Sequence, residues 1–240
     1  MVDRARDMIP VLRARARDAE LDRAVPRETF EQFAEEGFFR IHQPERFGGF
    51  GWDIGMMVRL SAELGQVCGS SCWIFSNLAV QNWILGMNRP EAQEDVWGPN
   101  PLALVASSFP TQGGKVERAE GGLIANGLWS FASGVDFADW NNMQVFVPSE
   151  SGDGPPEHRF ALVPKSDYEI VDDWFSPGLA GTGSRSIRLD NVFIPEHRTV
   201  PSTKLMGGPS PGSAINPGAL YRVPPLTLGT KVFAAPALGI

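Results

Sequence analysis

The sequence predicts an α+β chain: an N-terminal α-helical domain followed by a small antiparallel, β-barrel-like domain. Three observations predict it. Apolar residues recur at helical spacing through the first hundred positions. From about residue 101 they shift to short runs ending at proline or glycine, with no helical pattern between them. After residue 200 the chain turns rich in proline, glycine and serine before a final apolar stretch. The boundaries are therefore set at 1–100 for the helices and 101–200 for the strands, with 201–240 a linker and the start of a truncated C-terminal helical domain.

In the first of these regions seven arginines precede residue 30, but Asp3, Asp7, Asp18, Glu20, Asp22 and Glu28 are interleaved with them. That pattern reads as a solvated helix of mixed charge pairs. In VPRETFEQFAEEGFF, Pro26 suits a first helical position and Gly37 a stop, with Phe30, Phe33 and Ala34 on one face. The glycine-rich loop QPERFGGFGWD leads to Asp53, a candidate N-cap for a helix whose Met57, Leu60, Ser61 and Leu64 share a face. Ser70 or Ser71 then opens SCWIFSNLAVQNWILG, apolar on nearly all sides, as a helix sandwiched inside the protein must be. A short helix, RPEAQEDVW, closes the region before Gly98.

LALVASS is the first candidate strand, and KVERAEGGLIANGLWSF reads as a hairpin turning at Glu120-Gly121-Gly122. NNMQVFV and RFALVP each end at a proline. SRSIRLDNVFIP reads as strand broken by an Asp190-Asn191 turn. TVPSTKLMGGPSPGSAINPGALYRVPP reads as an extended linker, and LTLGTKVFAAPALGI as a helix cut near its start, so the chain is expected to be a C-terminally truncated fragment.

Composition narrows the function classes. A net charge of −7 and a pI near 5.0 argue against nucleic-acid binding. There is no secretory h-region and no run of about 18 apolar residues, so a soluble, cytoplasmic chain without membrane contact is expected. Cys68 and Cys72, a helical turn apart, read as buried core thiols. His42, His158 and His197 form no ligand pattern, and no metal site is expected.

Three stretches, PERFGGFG, NGLWSFASGVDFADW and GLAGTGSRSIRLDNVFIPEHR, occur in the order found in the acyl-CoA dehydrogenase superfamily. The SG-x-D-x-ADW and GTGS-x-S patterns resemble most the oxygenase components of two-component hydroxylases, such as those for 4-hydroxyphenylacetate and 3-hydroxylated seco-steroids. The resemblance runs from about residue 20 to the end. It implies the acyl-CoA dehydrogenase fold without its C-terminal four-helix bundle, and a homotetramer when the protein is full length. It also implies a reduced-flavin-dependent monooxygenase. FMNH2 or FADH2 would come from a separate flavin reductase, and O2 would be captured as a flavin C4a-hydroperoxide that hydroxylates an aromatic substrate.

Residue by residue, the resemblance places the Ser133 hydroxyl against flavin N5, where it would hold the N5 proton and slow loss of peroxide. Ser107 and Ser108 fall on the strand facing the flavin pyrimidine, and Phe131 beside the ring. Thr182, Ser184 and Arg185 lie in a glycine-rich loop able to offer backbone N–H groups to an anion or to the flavin edge. Gln81 stands in the long second-domain helix where phenol hydroxylases carry a catalytic histidine, and Phe137 where they often carry another. Trp83 and Phe137 are assigned to the substrate side. Trp73, Trp83, Trp129, Phe131 and Trp140 either form dry walls for the reaction or are ordinary core. Two alternatives remain open: an FAD-dependent acyl-CoA dehydrogenase, which needs a carboxylate base, and a truncated non-catalytic remnant.

Overall fold

A computed structural model describes residues 1–110, 114–149 and 153–225, with 234, 236 and 237 besides. The chain opens with α1 (Val2–Leu21), which buries Ala5, Met8, Leu12 and Ala19. On its outer side Arg6 pairs with Asp3 at 3.1 Å and Glu63 at 3.0 Å. Exposed pairs of this kind contribute at most about 1 kcal/mol, so the buried stripe is what docks the helix.

Pro26 flanks α2 (Arg27–Glu35), and Gly37 leaves it in the left-handed region at φ +78°. Thr29 and Phe33 form the buried face, whereas Ala34, expected on it, is exposed. Asp53 caps α3 (Ile54–Leu64), its carboxylate accepting the Gly55 N–H at 2.8 Å, and the four residues predicted to share a face are the ones buried.

The central helix is α4 (Gly69–Gly86). Its N-cap is Cys68, whose sulfur accepts the Ser71 N–H at 3.5 Å, rather than Ser70 or Ser71. Apart from Gly69 and Trp73, every residue of this helix is buried, because elements pack around its whole circumference. The helical region ends with α5 (Pro90–Trp97).

The strands are β1 (Val105–Pro110), β2 (Lys115–Ala119), β3 (Gly122–Ala132), β4 (Trp140–Val147), β5 (Glu157–Pro164), β6 (Glu169–Val171), β7 (Arg185–Pro195) and β8 (Thr199–Pro201). They follow the path β6-β7-β3-β1-β4-β5-β8, with β2 beside β3. Pairing is antiparallel except between β1 and β4, and the described path is open rather than closed into a barrel. The short strand β6 lacks a proline or glycine boundary and was not expected from the sequence.

The Asp190-Asn191 turn is not a break. β7 runs through it as a bulge, with Asn191 at φ +53° and its N–H held by Asn126 Oδ1 at 2.5 Å. A bulge keeps both flanking runs in the ladder while turning the strand, which a hydrophobic pattern alone does not distinguish from a turn.

The proline-rich segment after β8 is not extended. It packs back on the end of α4: Trp83 Nε1 donates to the Leu220 carbonyl at 2.8 Å, and Asn216 Nδ2 to the Gly86 carbonyl at 2.7 Å. Tyr221 adds a hydrogen bond to the His42 carbonyl at 3.1 Å. A Cβ on Gly212 would lie 2.3 Å from the Gly86 carbonyl, so the close approach requires glycine there. The helix start expected in LTLGTKVFAAPALGI falls, apart from residues 234, 236 and 237, outside the described residues.

Candidate functional site

A cavity of about 470 Å³ opens between the first turns of α4 and the strand ends. Trp73 and Asn77, four residues apart on one face of α4, form one wall. Phe109 of β1, Phe131 at the end of β3 and Ser133 just beyond it form the next. The loop between β6 and β7 supplies Trp174, Ser176, Gly178, Leu179, Thr182 and Ser184. Among the described residues none in the lining carries a charge, so the site holds an apolar group better than an ion.

Phe131 is held at φ +64°, a conformation that costs a non-glycine residue roughly 1–2 kcal/mol. The twist falls at a register shift in the β3–β7 ladder, between Trp129 and Ala132, and it leaves the ring half exposed, 6.2 Å from Trp174 and nearly perpendicular to it. Ser133 follows, a residue only 3% exposed. That hydroxyl accepts the Trp73 Nε1–H at 3.0 Å and bonds Ser184 Oγ at 2.7 Å. Ser184 Oγ in turn bonds Thr182 Oγ1 at 2.6 Å, and Thr182 donates to the Leu179 carbonyl at 2.8 Å.

Two backbone N–H groups of this loop, those of Ala180 and Gly181, are already used. Glu20 of α1 accepts from Ala180 at 2.9 Å and from Gly181 at 3.4 Å, and Ser70 donates to the same carboxylate. At these two amides the anion is the chain's own carboxylate. Arg185 does not reach into the cavity: it binds Asp136 and, through Nε at 3.1 Å, Asp172. Hydrogen bonds from Arg23 and Arg185 pull the Asp172 carboxyl down to about 2. Burial pushes Asp136 upward against the opposing pull of Arg185 and Lys165.

Of the residues singled out in the sequence, Phe131, Ser133, Thr182 and Ser184 line the cavity together. Ser107 lies one layer behind, donating to Asn77 Oδ1 at 3.4 Å, while Ser108 faces away to Asn141 Oδ1 at 2.7 Å. Successive strand residues point to opposite faces, so the two serines do not share a wall. Gln81 stands one turn beyond Asn77 on the same face of α4, its Oε1 accepting from Asn142 at 3.0 Å.

Trp83 is fully buried against Leu220, and Phe137 stacks on Phe30 at 4.3 Å between centroids; neither lines the cavity. Among the aromatics read as candidate dry walls, Trp73 and Phe131 are in the lining, Trp129 is core, and Trp140 lies under Arg198. Asn77, Phe109, Trp174 and Leu179 were missed. The signal for Asn77 was present: two amides, Asn77 and Gln81, stand four apart on one face of a buried helix.

Residues 2–100, which contain every α-helix from α1 to α5, match the family model for the N-terminal domain of acyl-CoA dehydrogenase. These helices are an acyl-CoA dehydrogenase N-terminal domain. The remainder of the described chain continues in the acyl-CoA dehydrogenase fold. The chain as a whole superposes with a TM-score of 0.93 and 33% identity on the crystal structure of the 3-HSA hydroxylase from Rhodococcus sp. RHA1, covering 99% of this chain and 62% of that one. XiaF from Streptomyces sp., solved in complex with FADH2 and glycerol, gives a TM-score of 0.87 at 27% identity, over 99% of this chain and 59% of its own.

Among curated proteins, the oxygenase subunit HsaA of a flavin-dependent monooxygenase from Mycobacterium tuberculosis is 34% identical over 236 residues, 98% of this chain and 59% of the relative. The oxygenase component of FADH2-dependent resorcinol hydroxylase from Rhizobium sp. is 35% identical over 241 residues, 100% of this chain and 58% of the relative. The chain thus spans less than two thirds of the length of each of these relatives. Among the described residues no helix is long and apolar enough to cross a membrane.

Proposed function

We propose that the chain forms the flavin-binding part of a reduced-flavin-dependent monooxygenase, the oxygenase component of a two-component system that hydroxylates an aromatic substrate. The observation that carries this reading is the Ser133 hydroxyl, nearly buried in the wall of an uncharged aromatic cavity and already engaged by Trp73 and Ser184. A planar flavin fits that donor set: Phe131 and Trp174 offer ring faces and edges, and Ser133 offers a single polar atom. A reduced flavin supplies electrons to O2 and, with it, one oxygen atom for an electron-rich ring.

The chain's own residues bind and orient. Trp73, Phe109, Phe131 and Trp174 exclude water, which favours oxygen transfer over release of hydrogen peroxide. Ser133 holds the proton on flavin N5. The lining contains no acid or base, so activation of a phenolic substrate falls to groups outside it. A separate flavin reductase, a homotetrameric assembly and a cytoplasmic setting belong to the same proposal.

The test supplies reduced FMN or FADH2 with 18O-labelled O2 and a panel of phenols, and reads products by mass. Incorporation of one labelled oxygen is expected. A chain that binds neither reduced flavin in anaerobic titration ends this reading.

A further inference from the structure

We propose that Thr182 and Ser184 act through Ser133 as positioning residues that make the cavity select reduced over oxidised flavin. The proposal rests on the flavin reading above.

Four hydrogen bonds join five groups in a line, from Trp73 Nε1 through the hydroxyls of Ser133, Ser184 and Thr182 to the Leu179 carbonyl. Each hydroxyl has one proton to give, the indole N–H only donates, and the carbonyl only accepts. With both ends so defined, all four bonds form together in a single order. Ser133 donates to Ser184, Ser184 to Thr182, and Thr182 to Leu179. Reversing the three hydroxyls loses the bond to Leu179 and turns the Ser133 O–H out of the chain. The Leu179 carbonyl keeps the Thr182 N–H at 3.1 Å and the Trp174 Nε1–H at 3.3 Å, so reversal costs one hydrogen bond and leaves no acceptor bare.

In the favoured order the Ser133 proton is used inside the wall, and one of its two lone pairs takes the Trp73 N–H. The other is left for the cavity. Reduced flavin carries a hydrogen on N5 and satisfies that lone pair. Oxidised flavin presents a lone pair of its own and binds only after the chain reverses. One net hydrogen bond between the two orders corresponds to about a tenfold preference.

The experiment is anaerobic equilibrium binding of FMN and FAD, each oxidised and dithionite-reduced, to the 240-residue chain and its variants. The wild-type chain is expected to bind the reduced forms about tenfold more tightly, equivalent to a shift of about 30 mV in the potential of the bound two-electron couple. Thr182→Val and Ser184→Ala each free the Ser133 hydroxyl to rotate. Both are expected to tighten binding of oxidised flavin and bring the ratio toward one, which a merely structural role does not predict. Thr182→Ser keeps the hydroxyl and restores the ratio. Equal binding of both forms by the wild type, or an unchanged ratio in the two variants, overturns the relay while leaving the flavin site standing. Absence of any flavin binding by the wild type overturns both.

Discussion

Glu20, one residue before the end of the first helix, accepts the backbone N–H of Ala180 at 2.9 Å, so α1 holds the loop that walls the cavity. The approach is close enough that a Cβ on Gly181 would lie 2.8 Å from the Ala19 carbonyl. This contact ties the first helix to the site across most of the chain. It also explains why the loop keeps its shape with so many glycines.

Glu20→Ala therefore uncouples the loop. Charge-assisted hydrogen bonds to backbone amides typically contribute about 1–3 kcal/mol, so a fall in Tm of several degrees is expected in thermal unfolding. Binding of reduced flavin weakens along with it. A variant with unchanged Tm and unchanged flavin affinity removes Glu20 from the loop's support.

Ser133→Ala deletes the polar atom that the proposed function assigns to flavin N5, and with it the acceptor of the Trp73 N–H. Coupling, measured as hydroxylated product per O2 consumed, is expected to fall at least about twofold, with hydrogen peroxide rising to match. Unaltered coupling takes Ser133 out of the reaction.

His42 ties stability to pH. It is fully buried, its Nδ1–H donating to the Trp52 carbonyl at 2.9 Å while Nε2 has no partner among the described residues. Protonation would place an unpaired N–H in the core, and burial pushes the group down from 6.5 to about 4. The folded value lies below the unfolded one, so the unfolded chain takes up the proton first. Stability is full above pH 6.5 and declines as pH falls toward 4, by up to about 3 kcal/mol. Urea midpoints across that window should show the decline, and His42→Gln should flatten it. Parallel curves for the two proteins would reject the assignment.

Trp83→Phe removes the N–H that anchors Leu220 and opens a gap beside it. A loss of about 2–3 kcal/mol is expected. Hydrogen exchange across residues 205–222 should quicken before the rest of the chain does. Equal protection in both proteins would show that this segment is held by other contacts.

The faces of α3 and α4, the Asp53 cap and the β2–β3 turn were legible in the sequence because each is decided within a few residues by period, capping and turn chemistry. Ser133 and Ser184 were singled out by the resemblance of their motifs to the two-component hydroxylases, not by period or turn chemistry.

What only the tertiary structure decided is which side chains meet. Trp73, Ser133 and Ser184 come from three separate elements, 60 and 51 residues apart, and form one hydrogen-bonded line. Trp83 and Trp129 look like Trp73 in sequence, yet they are core, because helical or strand period shows which residues share a face and not what that face packs against. The loop's N–H groups and the proline-rich segment repeat the lesson. Glu20 takes the former from 160 residues away and α4 draws in the latter, and long-range partners of this kind leave no local mark on composition.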